Sequence, residues 1–399
     1  MDPDRHGSNQ PLTNRSSPQP GARAVRIGPR PESPESPDSP DGPDALAALL
    51  AAVREGTGDV PALLSLARDI GRTAPRPGEG NTARLWELLA SVTSVDVAAG
   101  RILEPHLDAV AILAQAGSLS GSLPGDGLGD GTADGAWGVF AAEGPGLRLE
   151  ATADGSGKYI LNGSKPWCSL AAQLDGAVLT AHVVAGDHEA GSEEQPGGRA
   201  AFAVDLHAPG VSCETPQWTS RGLREIPSGT VHFDGVSAVP VGGAGWYFQR
   251  PGFAWGGMGV AACWFGGAVA LARDFSSALA AAANKGRAPD QIALAHLGET
   301  DRIITSVAGY LARTAERIDA GELSGSGAWS EALRVRGTVA AAVERIQAVV
   351  AQNLGPGPLA FNEAYGKRMA DLSLYIRQHH AMRDDAQLGA LTLKGDRSW

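Results

Sequence analysis

The hydrophobic period of this chain changes twice, and that order limits what it can fold into more than any other feature. From Ala45 the apolar residues recur at helical spacing. LAALLAAVR and PALLSLARDI suit short amphipathic helices, the second with Pro61 at a permitted first-turn position. After TAPRPGEG, the run ARLWELLASVTSVDVAAGRILEPHLDAVAILAQAG reads as two longer helices with a break near Glu104-Pro105. Near residue 136 the pattern becomes short alternating or β-branched runs: WGVF, LRLEAT, KYILNG, GAVLTAHVV, RAAFAVDL and GTVHFDGV. Gly, Pro and Asp clusters separate them, as expected of an antiparallel sheet. After Val241 the helical period returns. Gly256–Ala283 is apolar throughout. Asp290–Ala320 carries a stripe from Ile292 to Ile318, Trp329–Leu354 a second from Leu333 to Val350, and a last helix is expected from Asn362 to Leu391.

The fold class is therefore α+β. An N-terminal helical unit with its loop (44–135) precedes a middle antiparallel β-sheet domain (136–240) and a C-terminal four-helix bundle (241–399). Residues 1–43 read as a disordered tail, because RPESPESPDSPDGPD has too little apolar surface to offset ordering entropy. Its Ser-Pro pairs at Ser33, Ser36 and Ser39 are candidate modification sites. The Gly/Ser-rich stretch up to Gly135 and the acidic insert GDHEAGSEEQPGG read as exposed loops.

Composition removes several function classes. A net charge of −11 over 399 residues leaves no basic stripe for nucleic acid. The three cysteines, Cys168, Cys213 and Cys263, fit neither a disulfide framework nor a metal site, and a reducing cytoplasm is the simplest home. No apolar leader opens the chain. Gly256–Ala272 is short for a membrane span and reads as a helix buried in protein. No G-x-G-x-x-G follows a strand, so no Rossmann dinucleotide unit is expected.

The residues richest in chemistry lie in YILNGSKPWCSLAA, Tyr159–Ala172. Asn162-Gly163 signals a tight turn. Trp167, followed by Cys168 and Ser169, suits a wall for a planar ligand. Lys165 reads as a solvated turn residue. His106 and His296 read as satisfied helix residues, and Arg368 with Asp371 as a surface pair.

In this order and with these motifs the chain resembles the acyl-CoA dehydrogenase superfamily over residues 44–399. NGSKPWCS is similar to its N-G-x-K-x-W-[small]-[Ser/Thr] element. RGLREIPSGTVHFDGVSAVP is similar to its arginine-glycine turn and following strand, and LGPGPLAFNEAYGKRMADLSLYIRQHH to its Gly-rich turn and final helix. The resemblance implies FAD held without a Rossmann unit. Trp167 would lie against the flavin ring, Cys168 and Ser169 would bond its reactive edge, and Ala142 and Glu143 would stand at the loop FAAEGPG. Gly355 and Gly357 would allow close backbone approach.

Three family features are altered. Ala142 replaces a hydroxyl residue, no Arg-x-x-Phe-Gly appears near Gly286–Gln291, and the glutamate of the Glu-Gly-Thr motif is missing. His379 and His380 fall where that base would stand, and a neutral imidazole can replace it.

The function implied is an FAD-dependent oxidoreductase acting on a CH–CH bond of an acyl thioester or related small substrate. It would pass electrons to an electron-transfer acceptor or oxygen, and would assemble as a homodimer or homotetramer. Two alternatives remain open: a flavin-dependent monooxygenase or oxidase of the same fold, or a non-catalytic relative that has lost its base.

Overall fold

The structure is a computed structural model that describes residues 23–28, 43–120, 134–184 and 198–396. Four helices come first: α1 (Pro43–Glu55), α2 (Val60–Gly71), α3 (Thr82–Val95) and α4 (Val97–Ser120). Asp59 caps α2 by accepting from the Ala62 N–H at 3.1 Å, and Val60, Leu63, Leu64 and Ala67 form its buried face. The corner between the two long helices lies at Asp96 and not at Glu104-Pro105. Asp96 is extended, and its carboxylate accepts from the Ala99 N–H at 2.9 Å. Pro105 sits inside the 24-residue α4. Burial of Ile102, Leu103 and Leu107 on the same turns offsets the hydrogen bond that proline removes.

Among the described residues seven strands follow: β1 (Trp137–Phe140), β2 (Leu149–Ala153), β3 (Tyr159–Ser169), β4 (Gly176–Val184), β5 (Arg199–Asp205), β6 (Val211–Cys213) and β7 (Ser228–Val241). Most neighbours are antiparallel, as expected, but β4 runs parallel to both β1 and β2, so the sheet is mixed. On its other side β4 pairs with β5. The path β4–β2–β3–β7–β5 thereby closes on itself and leaves few free edges. Asn162-Gly163 is a bulge within β3 and not a turn. Gly163 has φ of +115°, and a Cβ there would lie 2.2 Å from the Arg148 carbonyl oxygen.

The C-terminal part holds α5 (Trp246–Gln249), α6 (Pro251–Ala283), α7 (Gln291–Asp319), α8 (Gly325–Leu354), α9 (Pro356–Phe361), α10 (Glu363–Tyr375) and α11 (Met382–Leu393). α6 is the axis of the molecule, packing on α3, α4, α7, α8 and α10. It is long and apolar enough to cross a membrane, yet 83% of its most apolar window is buried inside the protein, which marks a core helix. Gly266 lets α3 come close, since a Cβ there would lie 2.1 Å from the Ala90 carbonyl oxygen. The single final helix expected from Asn362 to Leu391 is broken. A 3-10 turn at Ile376–Gln378 leads into extended His379, and Ala381 has φ of +49°. Ile292, expected on the apolar stripe of α7, is exposed.

Part of the expected tail is ordered. Val25 and Ile27 are buried, the Val25 N–H donates to Ser91 Oγ at 2.8 Å, and the Ile27 N–H donates to Glu87 Oε1 at 2.8 Å. The alternation RAVRIG supplies two apolar side chains and free backbone donors, enough to lay a short strap along α3. Ser33, Ser36 and Ser39, and most of the two loops expected before Gly135 and after Val184, lie outside the described residues.

Candidate functional site

β3 carries the organising motif to the boundary with the helices. Its ladder with β7 slips between Lys165 and Cys168, and in that bulge Trp167 takes φ of +61°. Left-handed backbone is strained for a bulky residue. The result is an indole that is 63% exposed, although large aromatic side chains are ordinarily covered. On either side the chain turns inward. Lys165 is only 1% exposed and is not a solvated turn residue. Its Nζ donates to Glu143 Oε1 at 2.7 Å and to Thr180 Oγ1 at 3.0 Å. Cys168 is buried, which pushes its thiol up to about 12 and keeps it un-ionised.

Glu143 is paired with Lys165, His182 and Arg199. Burial acts to raise its pKa, but hydrogen bonds from Lys165 and His182 and the charges of Lys165 and Arg199 outweigh that and hold it low. Its carboxylate therefore anchors the FAAEGPG loop to β3, β4 and β5, with Ala142 exposed beside it.

Ser169 ends β3. Its hydroxyl shares a 2.7 Å hydrogen bond with Ser228 Oγ and accepts from Arg101 Nη2 at 3.2 Å. Arg101 belongs to α4, so this contact joins sheet to helices. One turn on, Glu104 is buried. Arg101 lies 3.9 Å from it, and the Tyr375 hydroxyl donates to it at 3.4 Å. Desolvation dominates over Arg101 and raises Glu104 to about 7, with Asp108 pushing the same way. The network continues through Tyr375 to the break after α10. There Arg336 of α8 donates to the Gln378 carbonyl at 2.6 Å and to the Gly257 carbonyl at 3.0 Å, its guanidinium stacked over Trp264.

These bonds fix the segment that carries His379. The His379 ring is mostly buried beside Gly337, and its Nε2 has no hydrogen-bond partner, the Asp384 carboxylate standing 3.7 Å away. Desolvation lowers its pKa against the pull of Asp384, so the ring is neutral at pH 7. His380 differs: its ring is exposed and its Nδ1 lies 3.3 Å from Asp384. Gly355 and Gly357 lie elsewhere, at the α8–α9 turn, with φ of +66° at Gly355 and open space around both.

The structure thus links Ser169 with the His379 segment through Arg101, Glu104, Tyr375 and Arg336. It leaves His380 at the surface and Gly355 and Gly357 at another end of the bundle. Sequence reasoning missed all four linking residues. The only available signals were charges inside otherwise apolar helices: Glu104 between Leu103 and Leu107, and Arg336 beside Val335. It also missed that Asp371 accepts from the Leu223 N–H at 2.6 Å and pairs with Lys367, docking the RGLRE turn on α10. Arg368 pairs instead with Asp274. No group of residues suited to a metal ion occurs among the described residues.

Residues 144–236 match the family described as acyl-CoA dehydrogenase, middle domain. No curated protein sequence matches the chain. Among solved structures, KijD3 in complex with FMN and a dTDP-linked amino-keto sugar superposes with a TM-score of 0.71 at 18% identity, covering 90% of this chain and 95% of that one. FMN-bound TdsC from Paenibacillus sp. A11-2 gives 0.69 at 16% identity, covering 88% and 96%. Butyryl-CoA dehydrogenase from Megasphaera elsdenii gives 0.65 at 15% identity, covering 87% and 94%. Helices, a closed sheet domain and a second set of helices, met at one junction, define the acyl-CoA dehydrogenase fold. This chain has that fold, and its sheet domain matches the family's middle domain.

Proposed function

We propose that the protein is a flavin-dependent oxidoreductase whose flavin ring lies against Trp167. The observation that carries this is the indole itself: a large flat ring, exposed on a strained bulge, at the point where the sheet meets a buried polar network. The residues present fit such a ring. Trp167 offers a face and Ser169 a hydroxyl oriented by Arg101 and Ser228, while the buried His379 Nε2 has no hydrogen-bond partner. When bound, a flavin supplies the electron chemistry. The chain supplies the rest: Arg336 and Asp384 hold the His379 segment, neutral His379 takes a proton from substrate, and the imidazolium so formed gives it up in a later step.

Of the reactions open to this site, reaction of a reduced flavin with oxygen is the better supported. A histidine rather than a carboxylate stands between α10 and α11, and two full-length structural relatives, KijD3 and TdsC, hold FMN. TdsC is also described as a dibenzothiophene monooxygenase. Oxidation of an acyl thioester at a CH–CH bond with FAD, the reading from sequence, is the second, supported by the butyryl-CoA dehydrogenase likeness. Assembly into a homodimer or homotetramer accords with Phe361, 89% exposed on α9, and with exposed Ile292 and Leu294 on α7.

Absorbance of the purified protein, alone and after incubation with FMN or FAD, tests the core of the proposal. Bands near ~370 and ~450 nm are expected from bound isoalloxazine. A chain that stays colourless with both flavins overturns it and leaves a non-catalytic relative. Once flavin is bound, anaerobic reduction separates the reactions. Bleaching by an acyl thioester alone marks a dehydrogenase, whereas bleaching only by an external reductant, with oxygen uptake coupled to an aromatic or amino-sugar acceptor, marks an oxygenase.

A further inference from the structure

A pocket of about 870 Å³ opens between α1, the α3–α4 corner, the C-terminal half of α6 and α10, and none of Trp167, Ser169, Glu104, Arg336 or His379 lines it. Its walls carry five cationic side chains, Arg23, Arg54, Arg273, Lys367 and Arg368, against three carboxylates, Asp96, Asp274 and Asp371. All three carboxylates are already engaged. Asp274 pairs with Arg368. Asp96 and Asp371 pair with Lys367 at 3.0 and 2.6 Å, and Glu225 joins them from outside the pocket at 2.8 Å.

Arg23, Arg54 and Arg273 have no carboxylate within ion-pair distance among the described residues, and the lining with Glu225 counted carries an excess of positive charge. Arg273 donates to the carbonyls of Arg23 and Ala24, both at 2.7 Å, which seats the strap at the pocket mouth. Burial and the nearby Arg23 charge both lower the Arg273 pKa, as in a group of guanidiniums lacking a counter-ion. A second, independent feature is Tyr365. It lines the pocket and is 2% exposed, and its hydroxyl has no hydrogen-bond partner. Buried hydroxyls normally find one.

We propose that this pocket binds a phosphorylated small molecule, with Arg23, Arg54, Arg273 and the Tyr365 hydroxyl holding the phosphate. Guanidiniums suit phosphate because their paired donors match its oxygens. The volume exceeds a lone phosphate and falls in the range of organic ligands. Val95, Val97, Ala270, Ala281 and Leu354 offer an apolar wall for the remainder. No residue of the Trp167 site lines the pocket, while Leu354 and Pro358, which do, flank the Gly355–Gly357 turn that the resemblance assigns to the cofactor.

The test is calorimetric titration of the full chain with inorganic pyrophosphate and, separately, with ADP. One saturable site is expected, with ADP the tighter ligand and affinity falling as salt rises. Arg54→Gln, on the exposed last turn of α1, should weaken binding about tenfold, and Tyr365→Phe severalfold, with unchanged thermal unfolding confirming that both variants fold. Trp167→Ala should leave ADP affinity as it was even if it abolishes flavin binding. Three results would each overturn the proposal: no saturable binding of either probe, equal affinity in wild type, Arg54→Gln and Tyr365→Phe, or displacement of ADP by riboflavin, which carries no phosphate and would assign the pocket to the flavin ring.

Discussion

At the scale of single residues, burial outweighs charge pairing at Glu104 and His379, whereas at Glu143 the partners win. Glu104 has Arg101 within 3.9 Å, yet desolvation holds it near 7, well above an unfolded carboxyl. The contribution of its protonated form to stability is complete below the unfolded pKa of 4.5. It is lost as pH rises through about 7. Glu104→Gln should therefore gain on the order of 2 kcal/mol over wild type in urea unfolding at roughly pH 8, and little at roughly pH 4. An equal difference at both pH values would show that folding does not shift the carboxyl's pKa. His379, the proposed base, shows the same control. Because its pKa is lowered, activity relying on the neutral ring should persist below pH 6.5 before falling. His379→Ala should cost about 10²-fold in kcat, whereas the exposed His380→Ala should stay within about twofold. Steady-state rates for the two variants would separate them, and a larger loss in the His380 variant would move the proton-handling role to that residue.

At the scale of elements, close backbone approach fixes where helices and strands sit. Gly266 allows α6 to touch α3, and a Cβ would meet the backbone of Ala90, which cannot rotate away. Gly266→Ala should cost about 2–3 kcal/mol as the helices separate, read as a drop in unfolding midpoint with little change in m-value. Gly163 does the same for β3. Gly163→Ala should destabilise by about 1–3 kcal/mol and disturb the strand leading to Trp167, measurable as weaker flavin affinity alongside lower stability. Element type was legible from sequence wherever the period was clean, as in α2, β4 and α6. Element breaks were less so. Pro105 suggests a break, but α4 absorbs it because its apolar faces are buried. Nothing in QHHAM announces one, yet Ala381 takes a left-handed conformation there.

For the whole molecule, the strap at Arg23–Gly28 shows how a distant segment completes a helical layer. Val25 and Ile27 cover α3, while Arg273 grips the strap backbone from α6. Replacing both apolar residues by alanine should destabilise the fold by about 2–4 kcal/mol, seen as a lower thermal midpoint, while leaving the spectrum of any bound flavin unchanged. If stability does not move, the strap only rests on the surface.

The sequence by itself determined the succession of helical, strand and helical periods, the buried character of Gly256–Ala272, and the Trp167–Cys168–Ser169 motif. Each depends on residues close together along the chain, where periodicity and turn chemistry act directly. Tertiary structure decided the parallel placement of β4 and the inward turn of Lys165. It also decided the pairing of Asp371 with Lys367 and the path from Ser169 through Arg101, Glu104, Tyr375 and Arg336 to His379. Those residues are separated by up to hundreds of positions, and their charges have ordinary solvated readings until burial removes water. Only packing determines which polar groups lose solvent, and that loss is what turns Glu104, Arg336 and His379 from surface-type residues into parts of one buried network.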